Sequence, residues 1–578
     1  MRRALIVVLC LLGSAGAEQE KIFGRASRRP GSAILPEDRL ADWRPGITVG
    51  VPGGIPKRTV LIDVTKPPYN ADATGAADAQ PAIAQAIAKA AENEVVYLPA
   101  GTYRLNNGFG TGGKSRISIR GDGPEKTILR LQTGGLSVGT GGADWWYPNR
   151  LKADLAAGAV KGATHLVVAD PKGLEIGQLC QVSLKNDAKL PVIVPGAFEY
   201  MRSQVTRIVG KRENEIVISP ALQFDVPMSL APRIRPTLRA VESVGIEDLT
   251  VDGAAANAQV GISLTTAHGC WIRNVAVRNI VNYHVSISDS LQCEIRQSTI
   301  ATRKGTGSNG AGFLVGTTCS TLFEDNILVE QFPHIEVNAS TGNVFGYNYC
   351  HDSTIQGVVG CSINSNHGAH SSFNLYEGNV SPKFQADGYH GSSSHDTLFR
   401  NWLHGSSDKT QLFWICVNLN RFTRNYSIVG NVLGSKGHPW IYDNDNKGYG
   451  YDQHLIYSLG MPNMGNGGFN GVAQPSKGKP WADWAGILAG GKGPGPGGFQ
   501  ELDLDVRATT LLKGNFNYKH EAVPANESLN GAGLPKSLYL SEKPAWFGAH
   551  AWPAFGPDTN FESNKIPAQA RFEAMTKK

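Results

Sequence analysis

From about residue 245 onward the chain repeats one short phrase: two or three alternating apolar residues, a polar pair, usually Asn, and a second alternating triplet. It appears as IEDLTV, WIRNVAV, EIRQSTI, LFEDNILV, VFGYNYC, LYEGNVS, LFRNWL, SIVGNVL and LLKGNFN. The marked polar residues are Asp248, Asn274, Gln297, Asn326, Asn348, Asn379, Asn401, Asn431 and Asn515, at steps of 26, 23, 29, 22, 31, 22, 30 and 84 residues. A shortest step near 22 with variable additions is the length of one solenoid coil of three short strands, the additions leaving as loops. Alternation within each strand turns one set of side chains into a narrow core and the other outward. An Asn at the same place in every coil can pass hydrogen bonds from amide to amide and so satisfy polar groups at a buried corner. The repeat therefore predicts an all-β chain wound as a parallel β-helix.

Composition agrees. The chain has 578 residues, 68 of them Gly and 32 Pro, with only 18% charged, which excludes a coiled coil, a helical bundle or a charge-rich disordered tail. A formal charge of +6, with no basic run interleaved with aromatics, gives no footprint for nucleic acid. Residues 1–17 read as a signal peptide: Arg2 and Arg3, an apolar stretch from Ala4 to Leu12, and a small-residue site at Ala15-Gly16-Ala17. The chain is thus expected to be secreted or periplasmic, with no membrane association after cleavage, since no other segment approaches the ~18 apolar residues a span needs. Seven further cysteines, an odd number with no CxxC spacing, fit neither a disulfide framework nor a zinc site. Cys270 and Cys293 each lie four residues before a marked position, so they are expected to stack on neighbouring coils as core thiols.

The spacing divides the chain into a signal peptide (1–17), an N-terminal extension (18–57), a cap with the first coils (58–149), an inserted small β module (150–235), the main β-helix (236–457), a Gly/Pro-rich loop (458–500), and a last coil with a covering segment (501–578). In the cap, Asp72-Ala73-Thr74-Gly75-Ala76-Ala77-Asp78 leads into Pro81 to Glu92, where Ile83 and Ile87 give a helix its buried stripe. A strand, a Pro-Gly turn and a second strand follow in Val95-Val96-Tyr97-Leu98-Pro99-Ala100-Gly101-Thr102-Tyr103. The stretch from Val60 to about Leu131 resembles the N-terminal part of the rhamnogalacturonase/epimerase-like pectate lyase superfamily, with Ala71-Asp72-Ala73 where Gly-Asp-Gly is usual. That resemblance implies a right-handed, single-stranded parallel β-helix with a helix capping its N-terminal end, and a hydrolase, lyase or epimerase acting on a polysaccharide.

Candidate chemistry concentrates between His334 and Trp414, where seven of the chain's fourteen histidines fall within 71 residues. Glu336 and His367 both lie twelve residues before a marked Asn, as does Tyr389, with His390 one residue closer and Asp387 nearby. Equal offsets place them in one strand column on successive coils, about 4.8 Å apart. Two mechanisms fit. Glu336 and Asp387 could serve as acid and base in glycoside hydrolysis, with a neighbouring His holding one carboxyl protonated. Alternatively His367 or His390 removes a proton from a uronic-acid polymer, Asn366 or His370 neutralises the carboxylate and Tyr389 assists, as in a polysaccharide lyase. His334, Asn338, Asn366, His370, Tyr389 and Trp414 are the substrate-binding candidates, Trp414 as a sugar-stacking platform. The kind of family resembled places hydrolysis first; a non-catalytic glycan-binding adhesin is the alternative of another class. No cofactor is required. Tyr442-Asp443-Asn444-Asp445-Asn446-Lys447-Gly448 matches only the start of a calcium loop, with Lys447 at a ligand position.

Overall fold

A computed structural model describes residues 33–139, 152–186, 190, 200–237, 239–305, 310–353, 361–388, 390–405, 415–444, 454–461 and 503–577. Residues 1–17, read as a signal peptide, Tyr389, Trp414 and residues 462–500 of the stretch read as a Gly/Pro-rich loop lie outside the described residues. The chain winds as a right-handed parallel β-helix with three strands per coil. In one coil these are Leu322–Glu324, Ile327–Gln331 and Ile335–Asn338. The first column runs Leu322, Val344, Leu375, Thr397, Ser427 and Leu511, all in parallel register. The third column runs Phe313, Ile335, Ile363, Phe384, Val417 and Tyr457. Inward residues stack like on like: the rings of Phe323, Phe345 and Tyr376 lie 4.7 and 4.9 Å apart and nearly parallel.

The Asn ladder begins later than the sequence phrases suggest. Asn326 donates to Asn348 at 2.9 Å, and the chain of amides continues through Asn379, Asn401, Asn431 and Asn515 at 2.9–3.0 Å. It ends on the buried carboxylate of Glu527 at 2.7 Å. Asp248, Asn274 and Gln297 sit one position earlier, in the left-handed corner conformation (φ 55°, 53° and 52°) that Asp325, Tyr347 and Gly378 hold in later coils. Asp and Asn tolerate that conformation, so polar residues recur at two adjacent corner positions and the phrases align one residue out. A second, shorter ladder runs from Asn343 to Asn374 and onto Asp396 at another corner.

At the N-terminal end the helix Gln80–Lys89 buries Ile83, Ala86 and Ile87 against the core. All seven described cysteines are buried and free, Cys270 and Cys293 among the core residues of the coils. The insert is a six-stranded antiparallel sheet spanning Ala153 to Pro236. The strand Leu455–Met461 belongs to the β-helix, so the coils run beyond residue 457. The segment after Asn517 packs back over the β-helix along one flank. Tyr539 donates to Glu324 at 2.7 Å, the Leu538 amide to Glu377 at 2.8 Å, and Arg571 to Asp325 at 2.7 Å.

Candidate functional site

The site lies on the outer face of the third sheet. Glu336 points outward between the core residues Ile335 and Val337, and its Oε1 accepts a hydrogen bond from Asn338 Nδ2 at 3.2 Å. The next strand, Ile363–Gly368, carries two extra residues: Glu336 pairs with Asn364, but Asn338 pairs with Gly368. Such a bulge re-aims the side chains it contains. It carries His367, whose Nδ1 donates to Asp387 Oδ2 at 2.9 Å, while Asn364 Nδ2 donates to the same oxygen at 2.7 Å. His390 meets the His367 ring edge-on at 5.1 Å.

Electrostatics divides these groups into distinct protonation states. Burial disfavours charge on His367, but the carboxylates of Asp387 and Glu336 outweigh it and push the imidazole up to about 9. Burial raises Glu336, with the Asp387 charge adding to it, against the attraction of His367 and the Asn338 bond. Burial and the His367 charge hold His390 down to about 4, so it is neutral at pH 7. A cation hydrogen-bonded to the Asp387 carboxyl, a Glu336 carboxyl with raised proton affinity and a neutral imidazole thus share one face.

Equal offsets from the marked Asn residues do not describe this arrangement. The column through Glu336 continues to Asn364, Gln385, Asn418 and Ser458. His367 and Asp387 meet through the bulge, which changes the count between the third strand and the ladder. Three candidates lie inside. His334 is fully buried, with Nδ1 against Ser362 and Nε2 against the carbonyls of His351 and Asp352. His370 is held by the hydroxyls of Ser392 and Ser394 at 2.9 and 2.8 Å. Asn366 donates to the carbonyls of Asp387 and Gly391, bracing the turn that presents Asp387 and His390. None of the three offers a polar group to a substrate on the outer face.

Two groups near Glu336 had no signal in the sequence. Tyr283 and Arg303 come from earlier coils, and both sense the Glu336 charge. Lys383 is 4% exposed, and its ammonium has no hydrogen-bond or ion-pair partner among the described residues; burial pulls it down to about 8. Arg400 faces the opposite flank, bound to Asp558. In the partial calcium motif, Asp443 is paired with Arg507 at 2.7 Å and Asn444 Oδ1 accepts from the Leu459 amide; residues 445–448 lie outside the described residues. Among the described residues no three His, Cys, Asp or Glu side chains converge to hold a metal ion.

Residues 64–145 match the family model described as rhamnogalacturonase A/epimerase, pectate lyase-like. No curated protein matches the chain in sequence. Among solved structures, the tailspike protein gp49 of Pseudomonas phage LKA1 is 13% identical, aligned over 68% of this chain and 66% of its own, with a TM-score of 0.46. The mannuronan C-5 epimerase AlgE4 A-module of Azotobacter vinelandii is 15% identical over 72% of this chain and 100% of its own, TM-score 0.34. The DFA-IIIase of Arthrobacter chlorophenolicus A6 is 11% identical over 81% and 93%, TM-score 0.36. The chain is a right-handed parallel β-helix protein whose N-terminal cap and first coils match the rhamnogalacturonase A/epimerase, pectate lyase-like model.

Proposed function

We propose that the chain is an exported carbohydrate-active enzyme that hydrolyses glycosidic bonds of a polysaccharide. The supporting observation is the unequal pair of carboxyl groups around His367. Burial favours the protonated form of Glu336, whereas Asp387 accepts hydrogen bonds from His367 and Asn364 that bind its ionised form. Glycoside hydrolysis needs such a pair. Glu336 gives its proton to the leaving glycosidic oxygen as the bond to the anomeric carbon breaks, and Asp387 takes a proton from the water that attacks the opposite face. The carboxyls come from strands two coils apart, roughly 10 Å between backbones, and this reading takes the inverting course, with the water held between them. His367 holds Asp387 in place and, as a cation, offsets charge that moves between the two carboxyls.

Proton NMR of freshly released reducing ends tests this reading: inversion of the anomeric configuration supports it and retention contradicts it. A second reading, elimination along a uronic-acid polymer, is favoured by two particular groups. His390 is neutral, as a base must be, and the ammonium of Lys383 lacks a protein partner among the described residues.

A further inference from the structure

The N-terminal extension and the insert, neither of which belongs to the coils, enclose a groove of about 690 Å³ away from Glu336. Leu35 and Leu40 form one wall and Leu222 the other, with Gln223 beside it; Glu37 and Asp38 stand at the rim. The walls are braced. Lys161 donates to the Asp38 carbonyl at 2.9 Å and lies 4.4 Å from the centre of the Phe373 ring. Gln204 accepts from the Gln223 amide N–H at 2.8 Å and donates to the Ala221 carbonyl at 2.9 Å, fixing the backbone under Leu222. Trp43 ties the other wall to the Phe373 carbonyl at 2.9 Å.

Within this braced groove one polar group is left over. Gln223 is 6% exposed, yet its side-chain amide has no hydrogen-bond partner among the described residues. The amide is not sealed from solvent, so the groove presents it to whatever enters. The exposed Glu37 and Asp38 carboxylates likewise make no side-chain hydrogen bond to described residues. The groove therefore offers an apolar wall, one amide able to donate and accept, the Thr48 hydroxyl, and the Glu37 and Asp38 carboxylates, which only accept; Asp42 is paired with Arg44, and the Lys161 ammonium is engaged by the Asp38 carbonyl and the Phe373 ring. It complements a ligand with CH faces and many hydroxyl donors, and the carboxylates repel an anionic one.

We propose that this groove is a second saccharide-binding site, separate from the Glu336 face, that takes an uncharged, hydroxyl-rich oligosaccharide. Its size falls within the ~300–1,000 Å³ of small-molecule sites. The walls come from the extension and the insert, so the site is a property of these two additions and not of the β-helix.

The test uses the full mature chain carrying Asp387→Asn, so that turnover does not consume the ligand. Cello-, xylo-, manno- and maltotetraose are titrated by saturation-transfer NMR, with an oligogalacturonate as the anionic control. At least one uncharged tetraose should bind better than the control. Its affinity should fall about tenfold in Gln223→Leu or in Glu37→Gln/Asp38→Asn, the scale of losing a hydrogen bond to the ligand. The second variant changes only exposed groups, so it remains informative if Gln223→Leu fails to fold. Absence of binding by all four tetraoses, or binding that both variants retain in full, overturns the proposal. Binding lost in these variants places the ligand in the groove even if the Glu336 face hydrolyses nothing.

Discussion

His367 Nδ1 donates to Asp387 Oδ2 at 2.9 Å, joining two coils through a contact that backbone register alone does not make. The pair turns a surface bulge into a charged centre, with Glu336 next to it and His390 against the imidazole.

The two carboxyls have separate roles, so each should be indispensable. Glu336→Gln and Asp387→Asn should each lower kcat by at least about 100-fold, the usual scale of a lost acid or base. Circular dichroism should be unchanged, because Glu336 faces outward and Asn can keep the hydrogen bond from Asn364. Wild-type activity in either protein would remove that residue from the mechanism.

The charge on His367 sets an alkaline limit. An imidazole raised to about 9 is charged in both folded and unfolded chains below the ordinary value of ~6.5, so there its pairing contributes fully to stability. That contribution is lost as pH rises through about 9, and activity should fall over the same range. NMR titration of the His367 ring should show this value moving down in Asp387→Asn.

The ladder carries stability in a way that its sequence phrases do not distinguish. Asn379 donates to Asn401 and to the Phe345 carbonyl and accepts from Asn348, all while buried. Asn379→Ala strands several buried groups and should cost roughly 3 kcal/mol or more. Asn274→Ala should cost less, about 1–2 kcal/mol, for placing Ala in the left-handed region and losing one part-buried hydrogen bond to Asp248. Urea unfolding of the two variants measures the difference.

Why some of this was legible in the sequence and some not follows from the same residues. The ladder from Asn326 to Asn515 is readable because only a side-chain amide can both donate and accept along a buried corner. Its start is not, since Asp248, Asn274 and Gln297 answer to a backbone conformation at the adjacent position. Density of histidine and carboxylate residues pointed to the region that holds Glu336, His367, Asp387 and His390, but the bulge at Ile363–Gly368 broke the counting. His334 and His370 look like surface chemistry in sequence because the partners that satisfy them, serine hydroxyls and backbone carbonyls, carry no recognisable pattern. Arg303, two coils from His367, has no local signal at all.

The flank segment should behave as a strap. Arg400, 1% exposed, binds Asp558 through both terminal nitrogens at 2.7 and 2.8 Å, and donates to the carbonyls of Phe555 and Pro535 as well. Asp558 is half exposed, so Asp558→Ala should cost only about 1–2 kcal/mol. Limited proteolysis should then cut first within residues 528–577, ahead of the coils.

The central claim is hydrolysis by Glu336 and Asp387. Its most direct test is incubation of the mature protein and its Asp387→Asn variant with neutral and acidic polysaccharides, reading new reducing ends together with ultraviolet absorbance from unsaturated uronides. The account predicts reducing ends without that absorbance, lost in Asp387→Asn. Reducing ends accompanied by the absorbance, or cleavage that persists in Asp387→Asn, would contradict it.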